Sequence, residues 1–309
     1  MILPSLRQLQ FLDALARERS FSRAAESMHV TQPTLSTAIR ELEGILGVQL
    51  VEREARGATL TVTGAEVVDR ARNLLSDAED LVLAAKGAGQ PLYGTFRLGA
   101  IPTIAPFMLP KVMKHLKSKY DHLTLYLREE QTARLLDDLR ARRLDAALIA
   151  LPYEATGIDS VPVFDDEFLL AAPKGHPLGR EGALQPEDLA PHDVLLLEDG
   201  HCLRDHALSV CQMPTVRDGG EVSATSLHTL IQMVDGGLGV SLIPRIAADA
   251  GIGQGLDVSI RPFSPPAIGR SIGVAWRAGS SREADARIVA EEIRALFTPG
   301  YPASKAKQA

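Results

Sequence analysis

Residues 195–213 read LLLEDGHCLRDHALSVCQM and hold the only two cysteines of a 309-residue chain, Cys202 and Cys211. His201, Arg204 and His206 stand close to the first of them. A thiol at a helix start beside such groups ionises more readily, because they favour the thiolate. A thiolate attacks peroxide to give a sulfenic acid, and this condenses with a second thiol that can reach it. Reach is the constraint. If residues 202 to 211 formed one helix, the two Cα atoms would stand ~13 Å apart, whereas a disulfide tolerates about 4.4 to 6.8 Å. Joining the pair would refold the segment and turn a local oxidation into a backbone rearrangement. Three other uses remain open on these residues alone. The cysteines could be structural and buried. Cys202, His206 and Cys211 could hold a metal, although Cys211 falls on another part of the helix and no Cys-x-x-Cys is present. A thiol peroxidase or disulfide oxidoreductase would need a pocket that nothing else in the sequence announces. The expectation is a chain that is not an enzyme and uses no metal and no cofactor.

The elements around this segment set where it can act. DVLLLE reads as a strand, Asp199-Gly200 as a tight turn, and a short helix starts near Cys202. From residue 93 the chain alternates. TFRLGAI, LTLYL and LDAALIAL read as strands, with helices over 105–119 and 131–141 between them. VPVFDDEFLLAAPK then leads to a second set with a helix over 225–235, LGVSLIP, a strand near 256–260, SIGVAWR and a helix over 281–297. Such alternation predicts an α/β fold with parallel sheets, here as two lobes with a cleft over residues 91–300. The tail 301–309 is expected to be disordered.

The first 63 residues read differently, as short helices and a wing. Ser5 and Gln8 form a capping box that opens a helix with Leu6, Leu9, Leu12, Leu15 and Ala16 on its buried side. Ser20 or Ser22 caps a second helix. Thr31 or Gln32 caps a third, with Pro33 in its first turn and Gly44 or Gly47 near its end. VEREARGATLTVT reads as two strands about a turn at Arg56-Gly57. Thr31, Gln32, Pro33, Thr34, Ser36, Thr37 and Arg40 would present polar groups and helix-start N–H donors to a major groove, with Arg53 and Arg56 reaching from the wing. Seven arginines balance seven carboxylates over residues 1–63, and the whole chain carries a net charge of −6. DNA affinity would therefore rest on local placement, not on bulk charge. An ordinary three-helix domain is the bland alternative.

Residues 64–86 show a seam of Val67, Ala71, Leu74, Ala78, Leu81 and Ala85, with Val68, Leu75 and Val82 beside it. Its spacing of four and three predicts a pairing helix. KGAGQPLYG then reads as a linker, so residues 64–90 form a dimerisation helix and hinge. Arg7 and Asp13 interrupt any signal-peptide core, and no apolar run spans a membrane. A cytoplasmic protein is expected.

The stretches FSRAAESMHVTQPTLSTAIRELEGILGVQLVER and LTVTGAEVV resemble the winged helix-turn-helix of LysR-type transcriptional regulators, and the likeness runs over residues 5–297. One departure is Val51, where that family usually has phenylalanine, at a packing position. The resemblance implies a two-lobed effector domain similar to periplasmic binding proteins. It also implies assembly as a homotetramer, a dimer of dimers, on double-stranded DNA, and contact with RNA polymerase. LEDGHCLRD with a second cysteine downstream, IPTIAPFMLP, EEQTARLL and ATSLHTLIQMV are similar to the hydrogen-peroxide-sensing members of the family. That likeness implies a peroxidatic Cys202 and a resolving Cys211. Thr103, Thr132 and His201 would hold peroxide and water beside Cys202, and Arg270 in GRSIGVAW would stand near the same site. A regulator answering to a small metabolite, with incidental cysteines, is the alternative within the family. A thiol-based peroxide-reducing enzyme is the alternative outside it.

Overall fold

Helix caps written into the sequence set the N-terminal elements. Ser5 accepts from the N–H of Gln8, and Gln8 answers to the Ser5 N–H, so α1 runs Leu6–Glu18. Ser20 caps α2, Phe21–Ser27. Thr31 caps α3, Gln32–Leu46, with Pro33 in the first turn and Gly47 closing the helix at φ 72°. The computed structural model describes residues 2–54, 57–86, 90–153, 155–180, 182–204, 208 and 223–297. It divides after Gly89 into two units.

In the first unit, β1 (Val51–Glu54) and β2 (Gly57–Leu60) pair antiparallel, with Val51 opposite Leu60. The core gathers Leu9, Leu12, Leu15, Ala24, Ala25, Leu35, Ile39 and Leu42. Val51 is buried there too, so the smaller side chain keeps its packing role. Leu6, expected on the buried side, is the first residue of α1 and is exposed. The helix expected over 64–86 begins two residues earlier, as α4 (Val62–Lys86), because the Thr61 hydroxyl accepts from the Gly64 N–H at 2.9 Å. Val68 and Ala71 join the core, and Arg72 meets Asp13 at 2.6 Å. Further along, Leu74, Leu81 and Val82 are 54%, 72% and 49% exposed.

The second unit begins with three parallel strands, β3 (Gly94–Ala100), β4 (Leu123–Glu129) and β5 (Ala146–Leu151). α5 (Ala105–Lys119) and α6 (Thr132–Arg140) make the crossovers that parallel pairing requires. The rest corrects the expectation of parallel sheets. β6 (Ile158–Pro173) is a single 16-residue strand. Its first part pairs antiparallel with β9 (Gly269–Arg277), and its last part with β7 (Ser241–Pro244) and β8 (Val258–Pro262). β9 is also antiparallel to β5. A strand returning from the far lobe runs against those that left. α7 (Leu227–Asp235), α8 (Arg245–Asp249) and α9 (Glu283–Phe297) follow in chain order. Residues 193–198, expected as a strand, make isolated parallel bridges from Val194 to Val240 and from Leu197 to Ala224.

One core fills the first lobe with Phe96, Leu98, Val112, Leu135, Leu148, Trp276 and Val289. Another fills the second with Phe168, Leu197, Leu203, Leu227 and Ile243. No described helix is long and apolar enough to cross a membrane. The tail 301–309 lies outside the described residues.

Candidate redox site

Parallel strands deliver two loops to one edge of the first lobe. β3 ends at Ala100 and leads through Ile101 and Pro102 to Thr103, just before α5. β4 ends at Glu129 and leads to Gln131 and to Thr132, the first residue of α6. This is the end of a parallel sheet at which α/β folds bind ligands. Gly200, His201 and Cys202 of the other lobe close over it. The crevice among these residues leaves no room even for a water molecule, so a ligand enters only as side chains part. Gly200 holds φ +90°, and a Cβ there would stand 2.7 Å from Gln131 Oε1. A glycine is thus what lets the two walls approach.

Thr103, Thr132 and His201 are buried, and Cys202 is half-buried. Cys202 opens a helical turn, residues 202–204. The Arg204 N–H donates to the His201 carbonyl at 2.9 Å, and the Arg204 guanidinium donates to the Leu197 carbonyl at 3.2 Å and pairs with Asp199 at 2.9 Å. Successive residues of this turn face opposite lobes: Cys202 packs on the first-lobe core and Leu203 within the second. Burial holds the His201 imidazole below its ordinary pKa, with Glu198 pulling part of the way back, so the ring is neutral at pH 7. The Thr132 hydroxyl is buried with no hydrogen-bond partner among the described residues. Arg270 stands one step behind, its Nη1 donating to Thr103 Oγ1 at 2.8 Å.

The structure therefore brings Thr103, Thr132, His201 and Cys202 together, with Arg270 reaching them through Thr103. Cys211 and His206 lie outside the described residues. Among the described residues no three His, Cys, Asp or Glu side chains cluster as a metal ion would need. In the first unit, Thr31, Gln32, Pro33, Thr34, Thr37 and Arg40 are exposed along the start of α3. Ser36 departs from its expected place in the groove: it is 7% exposed, because its helical position faces inward beside Leu35 and Ile39. The side chain of Arg53 and the whole of Arg56 lie outside the described residues. Reading the sequence missed Gln131, Gly200 and Asp166. The last had a signal, since FDDEF sets carboxylates in an otherwise apolar strand.

A chemistry follows from the crevice. A thiolate could attack one peroxide oxygen while hydroxyls and an imidazole donate to the other, which needs protons as the O–O bond breaks.

Two family models match the chain. The bacterial regulatory helix-turn-helix protein, lysR family, covers residues 6–65. The LysR substrate binding domain covers residues 89–298. A probable hydrogen peroxide-inducible genes activator of Mycobacterium avium is 42% identical over 296 residues, 96% of this chain and 95% of the relative. Among solved structures, a cysteine-to-aspartate variant of full-length OxyR from Pseudomonas aeruginosa superposes with a TM-score of 0.76 at 35% identity, covering 94% of this chain and 98% of that one. A cysteine-to-serine variant of OxyR from Corynebacterium glutamicum, in its H2O2-bound form, gives a TM-score of 0.67 at 34% identity, over 96% of this chain and 93% of that one. With both models in sequence order and this identity along nearly its whole length, the chain belongs to the LysR family of bacterial regulatory proteins, in the group of the hydrogen peroxide-inducible genes activators.

Proposed function

We propose that this chain is a DNA-binding transcriptional regulator that senses hydrogen peroxide and activates oxidative-stress genes, acting in the cytoplasm and not as an enzyme. The observation that carries this reading is the crevice in which two buried hydroxyls and a buried imidazole surround Cys202. The Cys202 thiolate attacks one oxygen of H2O2, so that an S–O bond forms and the O–O bond breaks. The second oxygen leaves as hydroxide and takes a proton to become water. The sulfur is oxidised by two electrons, and the peroxide is reduced. The Cys211 thiol then displaces water from the sulfenic acid to give the disulfide. In this reaction Thr103, Thr132 and His201 hold peroxide and donate to the departing oxygen, and Arg270 supports Thr103.

Leu203 explains how such chemistry would reach the fold. It is buried in the second-lobe core directly beside Cys202. Drawing Cys202 towards Cys211 pulls Leu203 with it, at about 1.5–3 kcal/mol of lost burial. The core must repack, and the repacked lobe presents a new surface to its neighbours.

DNA binding would use Thr31, Gln32, Pro33, Thr34, Thr37 and Arg40, with Ser36 supporting the helix from within and Arg53 and Arg56 on the wing. The apolar face left on α4 suits pairing with a second copy, and two such dimers would form a homotetramer on a bipartite operator, in contact with RNA polymerase. The linker and hinge span residues 64–90 in this reading.

The test is a peptide mass map of full-length protein with thiols trapped before and just after a stoichiometric pulse of H2O2. A rapid Cys202–Cys211 link is expected, reversed by dithiothreitol and lost in Cys202→Ser. Thiols that do not link, or that drift to overoxidised acids, overturn the sensing reading and point to a metabolite-responsive regulator.

A further inference from the structure

We propose that Asp166 is a positioning residue for the oxidation of Cys202: through Arg270 it turns the hydrogen of the Thr103 hydroxyl into the crevice. The proposal rests on the peroxide-sensing reading above and assigns a role to a residue outside the crevice.

Asp166 lies on β6 directly opposite Arg270 on β9. Their side chains are 1% and 0% exposed. Asp166 Oδ2 accepts from Arg270 Nη2 at 3.1 Å and from Nε at 3.2 Å. Its other oxygen accepts the Ile246 N–H at 3.1 Å. Held this way, the guanidinium grips Thr103 twice. Nη1 donates to the hydroxyl at 2.8 Å, and Nη2 donates to the Thr103 carbonyl at 3.3 Å.

The direction of these bonds decides the chemistry. A guanidinium has donors and no acceptor, while a hydroxyl has one hydrogen and two lone pairs. Thr103 must therefore accept from Arg270, and its own hydrogen cannot point back along that bond. In the proposal that hydrogen takes the rotor facing the space that Thr103 shares with Cys202. Thr132 differs, since no partner among the described residues sets its rotor. Thr103 is thus a donor fixed before peroxide arrives, and Thr132 one that adapts to it. A fixed donor needs no reorganisation when negative charge develops on the departing oxygen.

Asp166 is what keeps the guanidinium in that pose. An asparagine would retain an acceptor and lose the charge. The buried cation would then shift towards other acceptors, and its grip on Thr103 would loosen.

The test compares two second-order rates at Cys202 in the reduced full-length protein, one with H2O2 and one with iodoacetamide. Both need the thiolate, and only the first needs a proton for the leaving group. Asp166→Asn is expected to slow the peroxide reaction about tenfold and to leave alkylation within about twofold. Thr103→Val should do the same, and the double variant should be no slower than the slower single one, because the two residues act along one chain. A folded Asp166→Asn protein with an undiminished peroxide rate overturns the proposal. So do equal losses in both rates, or losses that multiply in the double variant. If Asp166→Asn does not fold, Asp166→Ser, which also removes the charge, is judged by the same criteria alone and combined with Thr103→Val, and a wild-type peroxide rate in it also overturns the proposal. A wild-type Cys202 inert to peroxide sinks the sensing reading itself, an outcome distinct from failure of the Asp166 role alone.

Discussion

Thr132→Val should make the protein more stable and less responsive. The Thr132 hydroxyl is buried with no hydrogen-bond partner among the described residues, so folding strips it of water without replacement. Such a loss costs about 1–3 kcal/mol by mutational measure. Valine has the same branched shape and similar helix propensity, so the substitution removes this cost and leaves little else changed. A gain of about 1–2 kcal/mol raises the melting temperature of a unit this size by about 2–8 °C. Against that gain stands one lost donor to the departing oxygen. Loss of a single fixed donor can slow a reaction by about 10²- to 10³-fold; Thr132 is not fixed in advance and Thr103 and His201 stay in place, so a fall of at most about tenfold is expected here. Thermal melts of reduced wild-type and variant protein give the first quantity, and trapped-thiol kinetics after a peroxide pulse give the second. A variant that melts lower, or that oxidises at the wild-type rate, refutes the reasoning. The lower melt would mean that the hydroxyl is paired in the resting protein, and the unchanged rate that it does not serve peroxide.

Other perturbations test neighbouring parts of the description. Gly200→Ala sets a methyl 2.7 Å from Gln131 Oε1 at φ +90°; it should cost about 1–3 kcal/mol and slow Cys202 oxidation, read by melting and thiol trapping. Glu292 is buried, which pushes its carboxyl up, but hydrogen bonds from Lys119, His115 and Tyr120 overrule this and leave its pKa below the ordinary 4.5. Its contribution to stability is therefore complete above about pH 4.5 and is lost as pH falls towards the folded value. Glu292→Gln should lower stability at pH 7 by about 1–3 kcal/mol and flatten the acid limb of a denaturation series. Leu74→Glu combined with Leu81→Glu should shift sedimentation at micromolar concentration towards monomers, since each leucine buried in a pair contributes about 1.5–3 kcal/mol.

Local chemistry was readable from the sequence where local chemistry decides the structure. Ser5 with Gln8, and Thr31 with Pro33 and Gly47, carry their own caps, and the helix over 105–119 has the observed bounds. Pairing direction is not local. Nothing within GRSIGVAW says that β9 comes back between β5 and β6 and runs against both. DVLLLE has strand composition, yet its partners lie near Ala224 and Val240, and it makes isolated bridges there. Thr103, Thr132, His201 and Cys202 were picked out by residue type and resemblance, and their meeting depends on three loops from two lobes. Asp166 escaped because its meaning depends on Arg270, 104 residues away. Ser36 looked like its polar neighbours and faces inward, because helical phase, not polarity, sets which side is buried.

The first lobe is closed by a part of the chain made after the whole second lobe. Its core joins Phe96 and Leu98 to Ile272, Val274, Trp276, Val289 and Ile293, so the residues that begin it wait on the ribosome while the whole second lobe is synthesised. Its opening strands must stay soluble through that interval with the apolar surface that Trp276, Val289 and Ile293 later cover still open. A frameshift just after Pro262 would remove β9 and α9 and leave the second lobe's own core residues largely in place. Damage late in the reading frame thus falls on the beginning of the unit, and a truncated product should be cleared as an unfolded first lobe, even though most of its sequence is intact.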